Sequence, residues 1–213
     1  MLAHPQCIPV ARIAALLSVT LLAWFASPAS AMSFSTLTLP DGMRIVLAQG
    51  PVAEGDVDRL RTALASADRD PFGNKVVALD SPGGLVIEAF AMVDVMDRER
   101  VSTLVRPGAA CASACAQILF LSGVHRAVEG SGRIGLHACR VAGERSRSAA
   151  CNELIAQNAL ARGTPYASIM AFLLLTEPTE MRWLTAPEAD QWGFTHTPLR
   201  GDQRPRAIPA GGS

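Results

Sequence analysis

The sequence predicts an α/β domain in which helices flank a mostly parallel sheet. Short apolar runs typical of buried strands alternate along the chain with segments whose apolar residues recur at helical spacing. Two sharp glycine and proline breaks, at 81–84 and 106–108, directly follow two of these runs. Because open α/β sheets bind ligands at the carboxyl ends of their strands, we expect the functional site beside these breaks.

The composition excludes several classes of protein. The chain has 213 residues, of which 49% are hydrophobic and 18% charged, so it is long and apolar enough for one domain with a core. Its 19 basic residues balance 19 acidic ones, whereas a nucleic-acid-binding protein needs a basic face. An aromatic content of 5% also argues against base stacking, so we expect no nucleic-acid partner.

Residues 1–31 have the features of a secretory signal peptide. Arg12 precedes an apolar run over 13–26, and small residues end at Ala31. The run makes roughly 21 Å of helix, which is short of the ~30 Å needed to span a bilayer. We expect cleavage after Ala31 and a mature protein that is periplasmic in a Gram-negative host, or otherwise secreted. An uncleaved membrane anchor is the alternative.

The first half of the mature chain contains four elements. Leucines that alternate with threonines, followed by Pro-Asp-Gly at 40–42, predict a β-hairpin ending near residue 48. Apolar residues three and four apart predict a helix over 54–67. A continuous apolar run at 75–79 predicts a buried strand, which Ser-Pro-Gly-Gly ends, and a helix is predicted over 86–98.

The second half predicts a strand at 101–105 and then a helix over 109–121, whose small apolar residues are typical of a helix packed on all sides. The remaining predicted elements are strands at 125–128, 133–136 and 181–184, and helices over 147–162 and 165–175. Glycine, proline and arginine dominate 198–213, so we expect a disordered tail after a single domain over 32–197.

Four cysteines follow the signal peptide, and an even number in an exported protein predicts disulfides, with three connectivities open. A zinc site is the competing interpretation, but the sequence has no second pair of closely spaced cysteines or histidines to complete a tetrahedral ligand set. A Cys139–Cys151 bond would close a short loop and stabilise the protein by about 3 kcal/mol. A Cys111–Cys115 bond requires Cys111 to precede the helix, because side chains four apart on a helix are roughly 5–6 Å apart at Cβ.

Three sites in this pattern can carry chemistry. Ser113 opens the small-residue helix, where free N–H groups favour a developing anion, although a serine there can also be a simple cap. His137 ends a predicted strand and can act as a base or as a structural residue. Gly83 and Gly84 form either a plain turn or a close backbone approach to a substrate.

The sequence resembles the Clp-type proteolytic subunit (ClpP) family of serine peptidases in three places taken together: Ser-Pro-Gly-Gly at 81–84, Ser113, and Gly-Leu-His at 135–137. The spacing is also similar, with 29 residues from Gly84 to Ser113 (113 − 84) and 24 from there to the histidine (137 − 113). The resemblance covers about 45–197, and Cys-Ala-Ser-Ala-Cys is shared with exported Clp-like proteins. It implies a ClpP/crotonase-like spiral of ββα units.

The resemblance also implies roles for individual residues. Ser113 would be the nucleophile and His137 its general base. The backbone N–H groups of Gly84 and Ala114 would form the oxyanion hole, each lowering the barrier by about 3–4 kcal/mol. No metal or organic cofactor is implied.

The implied partner is a peptide or protein substrate, which would add as a strand beside Pro82 and Gly83. An ATP-dependent unfoldase is not expected in a compartment without ATP, and the same reasoning argues against crotonase-type acyl-CoA chemistry. Residues 138–176 replace the oligomerising handle of the family but are shorter, which leaves a homo-oligomer open without implying a heptameric ring.

One position departs from the family, because Met181 stands where the catalytic Asp is expected. Methionine cannot orient an imidazole as a carboxylate does. Three alternatives follow: the site is a Ser–His dyad, another acid replaces the Asp, or the triad has lost its function. The candidate acids are Glu180, Glu177 and Asp190, each of which would need to reach His137.

A Ser–Lys mechanism, used by related peptidases, would depend on Lys75, the only lysine. Its strand separates it from the glycine pair by roughly 16 Å, at about 3.3 Å per residue, which argues against that mechanism. The favoured function is an exported serine peptidase-like hydrolase. The alternative is a catalytically inactive ClpP-like protein that binds peptides or partners.

Overall fold

The computed structural model describes residues 31–140 and 146–196. The predicted signal peptide therefore lies outside the described residues except for Ala31, as do residue 197 and the predicted tail at 198–213. Within the described ranges, no helix has the length and apolar character needed to cross a membrane.

The described residues form two sheets. The strands, in chain order, are β1 (Ser33–Thr38), β2 (Arg44–Gln49), β3 (Lys75–Asp80), β4 (Val101–Val105), β5 (Ala110–Ala112), β6 (Arg126–Val128), β7 (Arg133–Leu136) and β8 (Arg182–Thr185). One sheet has the order β1-β2-β3-β4-β6 and the other β5-β7-β8. Only the β1–β2 and β7–β8 pairs are antiparallel.

Helices flank these sheets. They are α1 (Asp56–Ala65), α2 (Val86–Glu99), a π-helical segment (Cys115–Leu119), a 3₁₀ turn (Phe120–Ser122), α3 (Ala149–Ala161), α4 (Tyr166–Leu175) and α5 (Ala186–Gln191). This is the mixed α/β architecture with a mostly parallel sheet that the sequence predicts. The finer description, a spiral of ββα units, stays a prediction.

The end of β3 connects the two sheets. Beyond its pairing with β4, the strand continues through Ser81, whose N–H donates to Ala110 O at 2.8 Å and whose carbonyl accepts the Ala112 N–H at 2.9 Å. The two predicted glycine and proline breaks thus follow the carboxyl ends of β3 and β4, where the two sheets meet.

The helix predicted over 109–121 is wrong in its first part. Residues Ala110–Ala112 form β5, which pairs in parallel with β7, and the helical segment begins only after Ser113. Small apolar residues suit a helix packed on all sides, but they also fit a short strand between β3 and β7. Tertiary pairing decides between the two.

Two disulfides settle the cysteine connectivity. Cys111 bonds to Cys115, with 5.3 Å between their Cα atoms, and Cys139 bonds to Cys151, with 5.8 Å. The condition for the first bond is met because Cys111 lies in β5, before the helical segment begins.

Candidate functional site

Ser113 lies at a sharp strand-to-helix turn. It stands between β5 and the π-helical segment with a φ of 54°, and Arg100 is the only other non-glycine residue with positive φ in the described part of the chain. The left-handed region costs an L-residue about 1–2 kcal/mol, so the surrounding structure must hold Ser113 there. Turns of this kind lift a nucleophile out of the chain and expose its side chain.

Gly83 and Gly84 are packed against this turn on one side and against Val52 on the other. A Cβ on Gly83, where φ is 90°, would lie 2.7 Å from the Ser113 Cβ and 2.8 Å from the Ala114 nitrogen. A Cβ on Gly84 would lie 2.2 Å from the Val52 oxygen. Only glycine permits these approaches, so the close packing of the chain against Ser113 and Val52 requires both glycines.

Two N–H groups beside Ser113 are available to a ligand. Within the described residues, the N–H groups of Gly84 and Ala114 have no hydrogen-bond acceptor. The N–H of Ser113 itself donates to Gly135 O at 2.9 Å. These are the two donors that the resemblance implies for an oxyanion hole: Ala114 directly follows Ser113, and Gly84 directly follows Gly83, which packs against Ser113.

His137 lies just beyond the end of β7. The register of the parallel β5–β7 pair sets Ala112 opposite Gly135, which puts Ser113 and His137 at the same end of neighbouring strands. The buried Gln117 donates from Nε2 to the His137 carbonyl at 2.6 Å, and its own N–H donates to Ser113 O at 2.8 Å. Gln117 therefore connects the two candidate residues.

The imidazole of His137 is half-buried, and its Nδ1 lies 2.8 Å from the carbonyl oxygen of Ala138. Burial lowers its pKa below the ordinary 6.5, the positive charge of Arg140 lowers it further, and the Ala138 carbonyl partly opposes them. The ring is therefore mostly neutral at pH 7, as a general base must be.

Met181 occupies the expected acid position. In the antiparallel β7–β8 pair Leu136 is opposite Arg182, so the next residues along, His137 and Met181, face each other where the pairing ends. The Met181 sulfur lies 2.6 Å from the place that a Cβ on Gly135 would take. The thioether of Met181 therefore packs over Gly135, two residues before His137 on the same strand, and position 181 offers no carboxylate.

Two of the three candidate carboxylates make side-chain contacts elsewhere. Glu177 forms an ion pair with Arg147, and Asp190 accepts from the Thr195 hydroxyl at 2.7 Å. Glu180 is exposed, and none of the three contacts His137 among the described residues. The structure packs Gly83 against Ser113 and Ala114 and puts His137 at the end of the neighbouring strand, with Pro82 exposed next to Gly83.

Lys75 is engaged elsewhere. Its ammonium lies 2.8 Å from a carboxylate oxygen of Glu99, and this contact lowers the pKa of Glu99. The side chain stays at the beginning of β3, as predicted from the sequence. The described residues also hold no cluster of side chains suited to a metal ion.

Gln117 and the Ala138 carbonyl were not predicted as parts of the site. Gln117 is the one polar residue between Ala114 and Leu121, four residues after Ser113, and that spacing on a helix could have drawn attention to it. The carbonyl leaves no trace in the sequence, because every residue has one.

No protein-family profile matches the chain, and no curated protein sequence matches it either. Among solved structures, the fold is similar to that of a mutant of the "1510-N membrane-bound stomatin-specific protease". The TM-score is 0.55 at 19% identity, covering 70% of this chain and 75% of the other. The chain shares its fold with a protease. At this identity the likeness establishes the protease-like α/β fold and leaves the activity of this chain open.

Proposed function

We propose that the protein is an exported serine hydrolase that cleaves peptide bonds, with Ser113 as nucleophile and His137 as general base. The observation that carries the proposal is the left-handed Ser113 at a strand-to-helix turn, with Gly83 packed against its Cβ. A serine that only caps a helix has extended backbone angles and needs no such turn.

In the proposed reaction, the Ser113 hydroxyl oxygen attacks the substrate carbonyl carbon while its proton passes to His137 Nε2. The carbonyl oxygen becomes an oxyanion that the N–H groups of Gly84 and Ala114 stabilise. When the C–N bond breaks, the His137 proton moves to the leaving amine. Water then releases the acyl group from Ser113 by the same steps, with His137 again accepting and returning a proton.

An extended peptide is the substrate that best fits this site. The segment over 82–84 packs against Ser113 through Gly83, and its other two residues, Pro82 and Gly84, are exposed. Leu85 is 52% exposed and Ile87 86%, so apolar side chains border the glycine pair. A substrate strand would pair with backbone at this edge and cover these side chains.

Export is supported by the two disulfides, which persist in oxidising compartments, and by the signal peptide predicted over 1–31. We propose that the mature protein acts in the periplasm or outside the cell, without an ATP-dependent unfoldase. A homo-oligomer stays a prediction that sedimentation of residues 32–213 would test.

Fluorophosphonate labelling of residues 32–213, prepared with both disulfides, tests the proposed activity. We expect labelling that disappears in Ser113→Ala and in His137→Ala, and that persists in the matched control Ser66→Ala, which alters an exposed serine. Circular dichroism melts would establish that each variant is folded. Absence of labelling in the folded parent protein would overturn the proposal.

The second candidate function is a catalytically inactive protein that binds peptides. Met181 favours it, because loss of the orienting acid costs about 10⁴ in kcat in well-studied triads. Under this function, peptides would bind to unlabelled protein with the same affinity in the parent and in Ser113→Ala, as isothermal calorimetry would measure.

A further inference from the structure

We propose that the backbone carbonyl of Ala138 replaces the missing acid: it accepts the Nδ1–H of His137 and leaves Nε2 as the base for Ser113. This inference rests on the proposed function. It identifies a positioning group in the chain itself, at the residue directly after the base.

The chemistry of the contact determines where the proton lies. The Nδ1 of His137 is 2.8 Å from the Ala138 carbonyl oxygen, and a carbonyl oxygen can only accept a hydrogen bond. Nδ1 must therefore carry the proton, and in a neutral imidazole this leaves Nε2 with a free lone pair. The acid of a standard triad holds the same tautomer through the same nitrogen.

The peptide group between His137 and Ala138 is held at both ends. Its carbonyl, on His137, accepts from Gln117 Nε2 at 2.6 Å. Its N–H, on Ala138, donates to the carbonyl of Thr176 at 3.0 Å, and Thr176 is buried at the end of α4. Because this peptide group is held, the direction in which the His137 side chain leaves the backbone is held too.

The next peptide group contains the accepting carbonyl of Ala138, and it is held through its N–H group. Its N–H, on Cys139, donates to Asn152 Oδ1 at 2.8 Å. Asn152 is 1% exposed, and its amide donates to Leu173 O at 3.2 Å, which fixes the side chain between α3 and α4. The Cys139–Cys151 disulfide ties the same segment covalently to α3.

This arrangement explains how the site can lack an acid and keep an oriented base. The Met181 thioether packs over the neighbouring Gly135, and its sulfur is a much weaker acceptor than a carbonyl oxygen. A neutral carbonyl orients the ring as a carboxylate does, but it stabilises the imidazolium less because it carries only a partial charge. The site is thus built for an oriented but weak base.

The first test measures the tautomer directly and does not depend on activity. Cleavage after Ala31 removes His4, so only His125, His137 and His196 contribute to a two-bond ¹⁵N–¹H correlation spectrum of ¹⁵N-histidine-labelled residues 32–213. The His137 signals are those missing in His137→Gln. We expect the Nδ1-protonated tautomer at pH 8. An Nε2-protonated ring, or an even mixture of the two, would overturn the inference.

The second test changes the support of the carbonyl. Asn152→Leu removes the acceptor of the Cys139 N–H, and we expect tautomer mixing together with fluorophosphonate labelling that is roughly tenfold to a hundredfold slower. Asn152→Asp keeps an acceptor for the Cys139 N–H but loses the donor to Leu173 O, so it should keep the tautomer while lowering the free energy of unfolding. The matched control is Asn158→Leu on the same helix, where the amide bonds instead to Ser122 at 3.1 Å and the tautomer should not change.

The outcomes separate this inference from the proposed function. An Nδ1-protonated His137 in protein that does not label would support the carbonyl contact and remove the hydrolase function. Labelling of Ser113 in a protein whose His137 is Nε2-protonated would keep the serine hydrolase function and overturn both the contact and the role of Nε2 as the base. If Asn152→Leu fails to fold, the His137 tautomer in the parent spectrum still decides the matter.

Discussion

The main-chain N–H of Ser113 donates to the carbonyl oxygen of Gly135 at 2.9 Å. This bond continues the β5–β7 ladder by one residue and joins the candidate nucleophile to the strand that ends in the candidate base. It also engages the N–H of Ser113, which is therefore not free to donate to an oxyanion. Ser113 and His137 are therefore positioned by one strand pair.

Ser113→Gly should be more stable than Ser113→Ala. Glycine adopts a φ of 54° freely, whereas alanine keeps the strain of the left-handed region, about 1 kcal/mol or somewhat more. Urea unfolding of both variants measures the difference, and neither should label with fluorophosphonate. Equal free energies of unfolding would mean that the turn relaxes when the hydroxyl is removed.

The labelling rate should depend on pH through His137. Burial and the charge of Arg140 lower its pKa below 6.5, so the neutral base predominates at pH 7, and the midpoint of the fall in rate should lie below pH 6.5. Arg140→Gln removes a positive charge, raises the pKa and moves this fall toward higher pH. Rate constants measured from pH 5 to 9 test both statements. A fall centred above pH 7 in the parent protein would contradict them.

Met181→Asp should introduce the missing acid. A carboxylate beside His137 stabilises the imidazolium, so the pKa of His137 should rise and labelling at pH 8 should accelerate, by tenfold or more. Met181→Asn has nearly the same shape without the charge and serves as the control. If both variants label at the same rate, the side chain at 181 does not face the imidazole.

The Cys111–Cys115 disulfide brackets Ser113 and should help to hold its turn. We expect Cys111→Ser/Cys115→Ser to label about tenfold more slowly, because the turn gains freedom to leave the left-handed region. A reductant should slow the parent protein similarly but should affect the double variant less. Unchanged labelling after mass spectrometry shows complete reduction would refute this role.

Gly83→Ala should abolish labelling. Its new methyl group would lie 2.7 Å from the Ser113 Cβ and would push the turn and the glycine segment apart. Gly42→Ala is a matched control, since Gly42 has a similar φ of 89° with no atom near the added methyl. Both variants should lose about 1 kcal/mol of stability through φ, but only Gly83→Ala should lose reactivity.

Much of the fold was predictable because it depends on neighbours in the chain. Helical spacing over 54–67 and 86–98 indicated α1 and α2, and apolar runs indicated β3 and β4 to within a residue. The breaks at 81–84 and 106–108 indicated where the strands end. Local geometry and hydrophobic periodicity are properties of short segments, so the sequence expresses them directly.

The sequence by itself determined the residue types of the site: a serine, a histidine and two glycines at family-like spacing, with methionine at the acid position. Only the tertiary structure decided that residues 110–112 are a strand, that Ser113 is left-handed, and that His137 contacts a backbone carbonyl. Each of these depends on segments far apart in the chain meeting at about 3 Å, and such meetings follow from the packing of the whole domain.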